Sequence, residues 1–169
     1  MAHPNVVFMG VCGCGKSTVA RRYAAGAGYV VVEADDFHPP ANVAKMRSGQ
    51  PLADEDRAGW LAALAARNAE GRARGETMVL TCSALKRAYR DRLRQADPDL
   101  FFVHLAGTRE LLAQRLGERQ GHFMPASLLD SQLAALEAPQ APGERCLTVD
   151  IAAAPEVLCA TVATFLRTF

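Results

Sequence analysis

The sequence predicts an α/β fold in which helices cover both faces of a parallel sheet. Five short apolar runs alternate with longer amphipathic segments, which is the order that parallel strands with crossover helices require. The runs lack polar–apolar alternation, as expected of strands that are buried on both faces. The expected strands are residues 6–9, 29–32, 78–82, 100–105 and 146–149.

The helices are indicated by their apolar spacing and by residues typical of helix ends. Asp54 is expected to cap a helix whose apolar stripe contains Trp60 and Leu61, and Pro155 to open the last helix. No repeat or linker interrupts this order, so one domain is expected over residues 1–169. The expected helices are residues 16–27, 54–74, 86–95, 109–118, 126–137 and a final one from 155.

Composition and charge limit the function classes. The formal net charge is +1, which gives no reason to expect nucleic acid or an acidic membrane surface as a partner. No apolar run approaches the roughly 20 residues that span a bilayer, and the first residues do not resemble a signal peptide. Five scattered cysteines suit a reducing compartment. We therefore expect a cytoplasmic protein with a small-molecule substrate.

The segment from Gly10 to Thr18 carries a phosphate-binding motif. Gly10, Gly15, Lys16 and Ser17 match the pattern G-x-x-x-x-G-K-[ST], between an expected strand and an expected helix. Glycines let successive N–H groups face phosphate oxygens, Lys16 can reach the β- and γ-phosphates, and the Ser17 hydroxyl can bind Mg²⁺. The expected nucleotide-binding residues are Gly10, Cys12, Gly13, Cys14, Gly15, Lys16, Ser17 and Thr18.

Acidic residues follow the second expected strand, at the edge of the sheet where ligands of α/β proteins bind. Asp35 is our candidate for the general base that accepts a proton from an attacking hydroxyl, and Glu33 is expected nearer to Mg²⁺. A solvated acidic turn is the alternative. The phosphate-binding motif just upstream favours the functional interpretation.

Basic residues further along the chain fit an anionic acceptor. Arg57 lies on the apolar stripe of its helix, so it either extends along the surface or points into a cleft. Lys86 and Arg90 share a helix face beside Ser83, where they either face solvent or meet an anionic acceptor. The pattern leaves both alternatives open.

A mobile lid is predicted at about residues 117–127. Arg115 and Arg119 lie four residues apart on one helix face and lead into a glycine-punctuated segment. Such a lid could bring guanidinium groups onto the transferring phosphoryl group, although an ordinary polar helix end is the alternative. The expected catalytic residues are therefore Lys16, Asp35 and Arg119.

Taken together, these motifs resemble those of the gluconokinases, small P-loop kinases related to shikimate and adenylate kinases. The most specific are Ser-Gly-Gln-Pro-Leu at 48–52, Cys-Ser-Ala-Leu-Lys at 82–86 and Gly-His-Phe at 121–123. The matching segments cover about residues 6–151 in the same order. The resemblance implies a P-loop NTPase fold, a three-layer α/β sandwich with a five-stranded parallel sheet and a hinged lid.

The resemblance also implies the reaction, transfer of the γ-phosphate of ATP to the 6-hydroxyl of D-gluconate with Mg²⁺. Asp35 would meet the acceptor hydroxyl, Arg115 would lie near the adenine, and Arg119 near the phosphates. Many such enzymes are dimers, so a homodimer is a possible assembly. The residues expected to surround the sugar acid are Asp35, His38, Lys45, Arg57, Ser83, Lys86, Arg90 and His122.

The sequence also departs from the family pattern, and other activities remain open. Cys12 and Cys14 stand where Ser is common, and Glu33-Ala34 where Asp-Gly is common. The two cysteines could form a metal or redox site, but small side chains at permissive loop positions are the simpler interpretation. The alternative functions are a kinase for a shikimate-like hydroxy acid or a nucleoside monophosphate, and a P-loop ATP-binding protein that is not a kinase.

Overall fold

A five-stranded parallel sheet lies at the centre of the computed structural model, which describes residues 3–119 and 126–168. The strands lie side by side in the order β2-β3-β1-β4-β5, so β1 is central. The predicted parallel sheet is confirmed, and each strand boundary lies within one residue of its expected position. Strands β1 to β5 are Val6–Met9, Val30–Glu33, Met78–Thr81, Phe101–Ala106 and Cys146–Asp150.

The helices α1 to α7 are Lys16–Ala24, Pro40–Arg47, Asp54–Ala73, Arg87–Ala96, Arg109–Glu118, Ala126–Ala135 and Pro155–Leu166. Helix α2 was not among the predicted helices, because Asn42 is its one buried residue and it has no apolar face to produce a pattern. The short 3₁₀ helix Ala34–Phe37 was not predicted either. Within the described ranges, no helix has the length and apolarity to cross a membrane.

Two apolar cores, one on each face of the sheet, produce the three layers. Phe8 of β1 packs into one core with Val162 of α7. Its neighbour Val7 points to the opposite face and packs into the other core, with Trp60 of α3 and Leu93 of α4. This alternation of side chains along a strand explains why the central strands β1, β3 and β4 are apolar on both faces, whereas the edge strand β5 exposes Thr148 and Asp150.

The start of α3 differs from the prediction that Asp54 caps it. Ala53 occupies the capping position, and Asp56 Oδ2 accepts a hydrogen bond from the Ala53 N–H at 2.8 Å. The Asp54 carboxylate instead accepts hydrogen bonds from Lys86 Nζ, at 3.0 Å, and from the Tyr89 hydroxyl. The prediction was wrong because acidic residues are favoured throughout the first helical turn, which leaves the capping residue ambiguous.

A buried ion pair joins α4 to the segment before β5. Arg90 Nε and Nη2 each donate to a Glu144 carboxylate oxygen at 2.8 Å, and Arg94 Nη1 adds a bond at 3.0 Å. Arg90 Nη1 also donates to the carbonyl oxygens of Ala84 and Leu85. The hydrogen bonds from Arg90 are the main reason that the pKa of Glu144 falls to about 2. The pair therefore fixes the turn that follows β3.

The substitution Glu144→Gln should lower the free energy of unfolding by about 3 kcal/mol, because Arg90 would remain buried without its counter-charge. The folded-state pKa of Glu144 lies below its ordinary value of 4.5, so its stabilisation is complete above that pH and is lost as the pH falls towards 2. Urea unfolding at a series of pH values should therefore show a weaker acid dependence in the variant than in the wild type.

The matched control is Asp99→Asn, which removes the partner of Arg145 from an exposed ion pair. It should change stability little, since exposed pairs contribute little. Equal losses of stability in the two variants would contradict a structural role for the buried pair.

Candidate active site

The phosphate-binding segment at residues 10–18, which we call the P-loop, follows β1 and adopts a backbone that only glycine accommodates at its key positions. Gly10, Gly13 and Gly15 have φ angles of 147°, 82° and 91°. A Cβ on Gly10 would lie 2.9 Å from the Leu105 carbonyl oxygen, and one on Gly13 would lie 2.9 Å from Leu116 Cγ. The loop is therefore curled and packed against β4 and α5, with α1 starting directly behind it.

The Lys16 ammonium group is held beside this loop. Lys16 Nζ donates to the carbonyl oxygens of Gly10 and Val11 at 3.0 and 3.1 Å. Cys14 is buried beneath the loop, while Cys12 is half-buried. Burial raises the pKa of the Cys12 thiol although the positive charge of Lys16 lies close by, so this thiol is neutral at pH 7. A neutral thiol behaves as the small side chain that the sequence analysis favoured.

A polar cluster lies at the carboxyl ends of β2 and β3, next to the start of α1. Ser17 Oγ donates to Glu33 Oε2 at 2.8 Å, and Thr81 Oγ1 donates to the same oxygen at 2.6 Å. Glu33 Oε1 makes no hydrogen bond among the described residues, although Arg21 Nη2 lies 3.0 Å away. The structure thus brings together Ser17 and Glu33, the two residues that the sequence predicted to bind Mg²⁺.

A cavity of about 230 Å³ opens on one side of the P-loop, and we call it the nucleotide cavity. Arg115 and Arg119 line it together with Thr18. Arg115 Nη2 donates to the Ile151 carbonyl oxygen at 2.6 Å, which holds the side chain against the segment after β5. Both arginines predicted to act on the nucleotide therefore lie beside the phosphate-binding loop.

A second cavity, of about 110 Å³, is bounded by the α2–α3 connection, the start of α4 and α6, and we call it the acceptor cavity. Arg57, Lys86 and Tyr89 line it, with Gln50, Ser131 and Gln132. The Arg57 guanidinium and the Lys86 ammonium lie 5.4 and 5.7 Å from the centre of the Tyr89 ring. Arg57 thus points into a cleft, which decides between the two alternatives that its position in the sequence left open.

Lys45, Arg57 and Lys86 carry positive charges near this cavity, and they differ in whether their hydrogen-bond partner is a carboxylate. Lys45 Nζ donates to Asp56 Oδ2 at 2.8 Å, and Lys86 Nζ donates to Asp54 Oδ1 at 3.0 Å. The Arg57 guanidinium donates to the backbone carbonyl oxygens after Pro51, and no carboxylate of the described residues lies within ion-pair distance of it. Arg57 therefore carries the positive charge that is most available to an anionic ligand.

Asp35 and His38 lie at the carboxyl end of β2, in very different environments. The Asp35 side chain is 91% exposed, whereas that of His38 is 4% exposed and stacks on Trp60, with 4.2 Å between ring centres. Burial lowers the pKa of His38, which keeps the imidazole neutral at pH 7. Trp60 Nε1 donates to the Ala34 carbonyl oxygen at 2.7 Å, so the segment that carries Asp35 is pinned to α3.

Ser83 and Arg90, which were also expected to surround the acceptor substrate, make hydrogen bonds to other residues of the chain. The Ser83 carbonyl oxygen accepts a hydrogen bond from the Gly10 N–H at 3.3 Å, so Ser83 borders the P-loop. Arg90 is 1% exposed and paired with Glu144, and it does not line the acceptor cavity. The Arg90 donors hold Glu144 and the turn after β3, and a contact of Arg90 with the sugar acid stays a prediction.

Part of the predicted site lies outside the described residues, and part of the observed site was missed. Of the lid expected at 117–127, residues 120–125 are not described, and they include His122. Thr81 was not predicted as a site residue, although its position at a strand end next to the predicted metal site could have indicated it. Gln132, which accepts a hydrogen bond from the P-loop, belongs to no motif pattern that could have indicated it.

A larger cavity, of about 490 Å³, lies at the opposite edge of the sheet beside Asn5 and Asp97. It contains none of the residues that the sequence analysis selected. Ligands of open α/β sheets bind at the carboxyl ends of the strands, so the two cavities flanking the P-loop are the candidate active site.

Comparison with known proteins agrees with this architecture. Residues 6–139 match the family model described as an AAA domain. The gluconokinase of Gluconobacter oxydans (strain 621H) is 54% identical over 134 residues, which cover 79% of this chain and 75% of that protein.

Solved structures agree as well. A sugar kinase from Janibacter sp. HTCC2649, in its unliganded form, superposes with a TM-score of 0.92 at 47% identity, covering 98% of this chain and 95% of that one. A gluconokinase from Sinorhizobium meliloti 1021 gives a TM-score of 0.89 at 43% identity, covering 99% and 93%. These similarities, which extend over most of the sequence and of the fold, show that the chain belongs to the gluconokinase family.

Proposed function

We propose that this chain is a kinase that transfers the γ-phosphate of ATP to D-gluconate, giving 6-phospho-D-gluconate and ADP. The observation that carries the proposal is a P-loop between two cavities, one lined by Arg115 and Arg119 and the other by Arg57 and Lys86. A cationic acceptor cavity suits a substrate that bears a carboxylate. Membership of the gluconokinase family supports gluconate as that substrate.

The proposed chemical step is an in-line displacement at the γ-phosphorus. The gluconate 6-hydroxyl oxygen forms the new bond to phosphorus while the bond to the leaving ADP oxygen breaks, and Asp35 accepts the hydroxyl proton. The Asp35 carboxylate is exposed, and Trp60 holds the carbonyl oxygen of the preceding residue Ala34 at the carboxyl end of β2, which supports this role. Lys16 and Arg119 would stabilise the charge on the transferring group, so catalysis consists mainly of positioning and electrostatics.

Ser17 and Glu33 are the residues that we propose hold Mg²⁺. A hydroxyl and a carboxylate are the oxygen ligands that Mg²⁺ prefers, and its remaining ligands come from water and nucleotide phosphates. Glu33 Oε1 is buried and lacks a hydrogen bond among the described residues, and the Arg21 guanidinium 3.0 Å away shows that this oxygen is placed to pair with a cation. When bound, the ion neutralises charge on the phosphates.

Arg57 is proposed to bind the gluconate carboxylate, because its guanidinium hydrogen-bonds backbone carbonyl oxygens and forms no ion pair with a carboxylate of the described residues. Lys86 lines the same cavity. Lys45 directly precedes the lining residue Met46, and Ser83 lies two residues before the lining residue Leu85, and we propose that all three contact the sugar hydroxyls. His38 supports the segment that carries Asp35, and His122 stays a prediction from the family resemblance. Arg90 is assigned to positioning the turn after β3.

We further propose that the enzyme works in the cytoplasm. All five cysteines are free, including the buried Cys14, Cys82 and Cys146, as is usual for proteins of reducing compartments. A homodimer stays a prediction from the family resemblance.

The proposal is tested by a substrate panel assayed for ADP release with ATP and Mg²⁺. Gluconate should give much the highest kcat/KM, with related sugar acids, shikimate and nucleosides far below it. A preference for shikimate or a nucleoside would replace gluconate as the acceptor. ATP consumption that does not respond to any acceptor would indicate an ATP-binding protein that is not a kinase.

Asp35→Asn should lower kcat by about 10²–10⁴-fold, because the general base is lost. The KM for ATP should stay nearly unchanged, since Asp35 lies outside the P-loop. Steady-state kinetics with gluconate as the varied substrate measures both effects. Asp36→Asn, one residue along the same 3₁₀ helix, is the matched control and should keep near wild-type turnover. Full turnover in Asp35→Asn would exclude it as the base.

Arg57→Ala should raise the KM for gluconate by about 10–100-fold, the effect expected when one hydrogen-bonded charge contact is removed. The KM for ATP should change much less, because Arg57 does not line the nucleotide cavity. The control is Arg47→Ala, which removes an exposed arginine at the end of α2. An equal rise of both KM values would show that Arg57 supports the fold of the site rather than the acceptor.

A further inference from the structure

A side chain from α6 accepts a hydrogen bond from one of the backbone N–H groups of the P-loop. The Cys12 N–H donates to Gln132 Oε1 at 2.7 Å, across 120 residues of sequence. The N–H groups of such a loop face inward at phosphate oxygens when nucleotide is bound. An amide oxygen of Gln132 thus lies where a phosphate oxygen would be expected to bind.

The position of Gln132 indicates which phosphate of the nucleotide the Cys12 N–H would bind. Gln132 also lines the acceptor cavity together with Arg57 and Lys86, so the Cys12 N–H lies on the side of the P-loop that faces the acceptor. In-line transfer requires the γ-phosphate to lie between the leaving ADP and the acceptor hydroxyl. The Cys12 N–H is therefore placed for the γ-phosphate and not for the phosphates of ADP.

Helix α6 is anchored, which makes the contact a fixed feature of this arrangement. Leu129 is fully buried, and Arg109 donates to both carboxylate oxygens of Asp130 at 2.6 and 3.0 Å. Just beyond α6, the Glu137 N–H donates to the Leu85 carbonyl oxygen at 2.8 Å. Gln132 is consequently held between the P-loop and the wall of the acceptor cavity.

We propose that Gln132 is a positioning residue that couples binding of the γ-phosphate to binding of the acceptor. Its amide oxygen holds the Cys12 N–H until a γ-phosphate oxygen replaces it, and the released amide then hydrogen-bonds acceptor hydroxyls. The exchange is favourable because a charged phosphate oxygen accepts a stronger hydrogen bond than a neutral amide oxygen. This inference rests on the proposed function for the identity of the acceptor.

The nucleotide part of the proposal is tested without any acceptor. Binding of ADP and of a non-hydrolysable ATP analogue, each with Mg²⁺, is measured by calorimetry for the wild type and for Gln132→Glu. The added carboxylate would face the γ-phosphate, so affinity for the ATP analogue should fall at least tenfold more than affinity for ADP. Equal losses for the two nucleotides would overturn the assignment of the Cys12 N–H to the γ-phosphate.

The coupling is tested with Gln132→Met, which keeps the size of the side chain and removes its hydrogen bonds. Wild-type protein should bind gluconate about fivefold more tightly with the ATP analogue than with ADP, the effect of roughly one hydrogen bond. The variant should lose this difference, while its affinity for ADP stays unchanged. If Gln132→Met instead weakened gluconate binding equally with the ATP analogue and with ADP, the effect would be a general structural defect and the proposal would be overturned.

The matched control is Gln95→Met, an exposed position of α4 remote from both cavities, which should keep the wild-type difference. Gluconate binding that depends on the γ-phosphate equally in Gln132→Met and the wild type would overturn the coupling alone. Wild-type protein that binds no gluconate with either nucleotide would instead overturn the proposed function. In that case, the affinities of Gln132→Glu for ADP and for the ATP analogue still test whether the Cys12 N–H binds the γ-phosphate.

Discussion

Close packing around the glycines of the P-loop is the constraint on which the site depends. Gly10 lies so near the Leu105 carbonyl oxygen, and Gly13 so near Leu116, that no side chain fits at either position. The loop is therefore pressed against β4 and α5, and α5 is the helix that carries Arg115. The same contacts that curl the backbone for phosphate binding thus set the distance between the loop and the arginines of the nucleotide cavity.

The acceptor side depends on selective neutralisation of charge. Asp54 and Asp56, in the first turn of α3, each hold one lysine of the acceptor side. Arg57 follows directly in the sequence but donates to backbone carbonyl oxygens instead. A short acidic segment therefore pairs with the two lysines and leaves Arg57 without an ion pair among the described residues, which fits the proposed role of Arg57 in binding a carboxylate.

The sequence predicted the parts of the molecule that depend on local pattern. The buried strands and the P-loop are encoded by adjacent residues, so the sheet and the positions of Lys16 and Ser17 could be derived directly. The role of Arg90 could not, since it depends on Glu144, a partner 54 residues away that no periodicity connects to it. Helix α2 was missed for a different reason, because it packs without an apolar face and has no period to detect.

The two cavities are built from separate parts of the chain. The nucleotide cavity draws on α5 and the segment between β5 and α7, whereas the acceptor cavity draws on the α2–α3 connection, the start of α4 and α6. Mutations in the α2–α3 connection therefore leave the residues that line the nucleotide cavity unchanged. The acceptor cavity can thus be redesigned for a different sugar acid by varying the α2–α3 connection, without changing a residue that lines the nucleotide cavity.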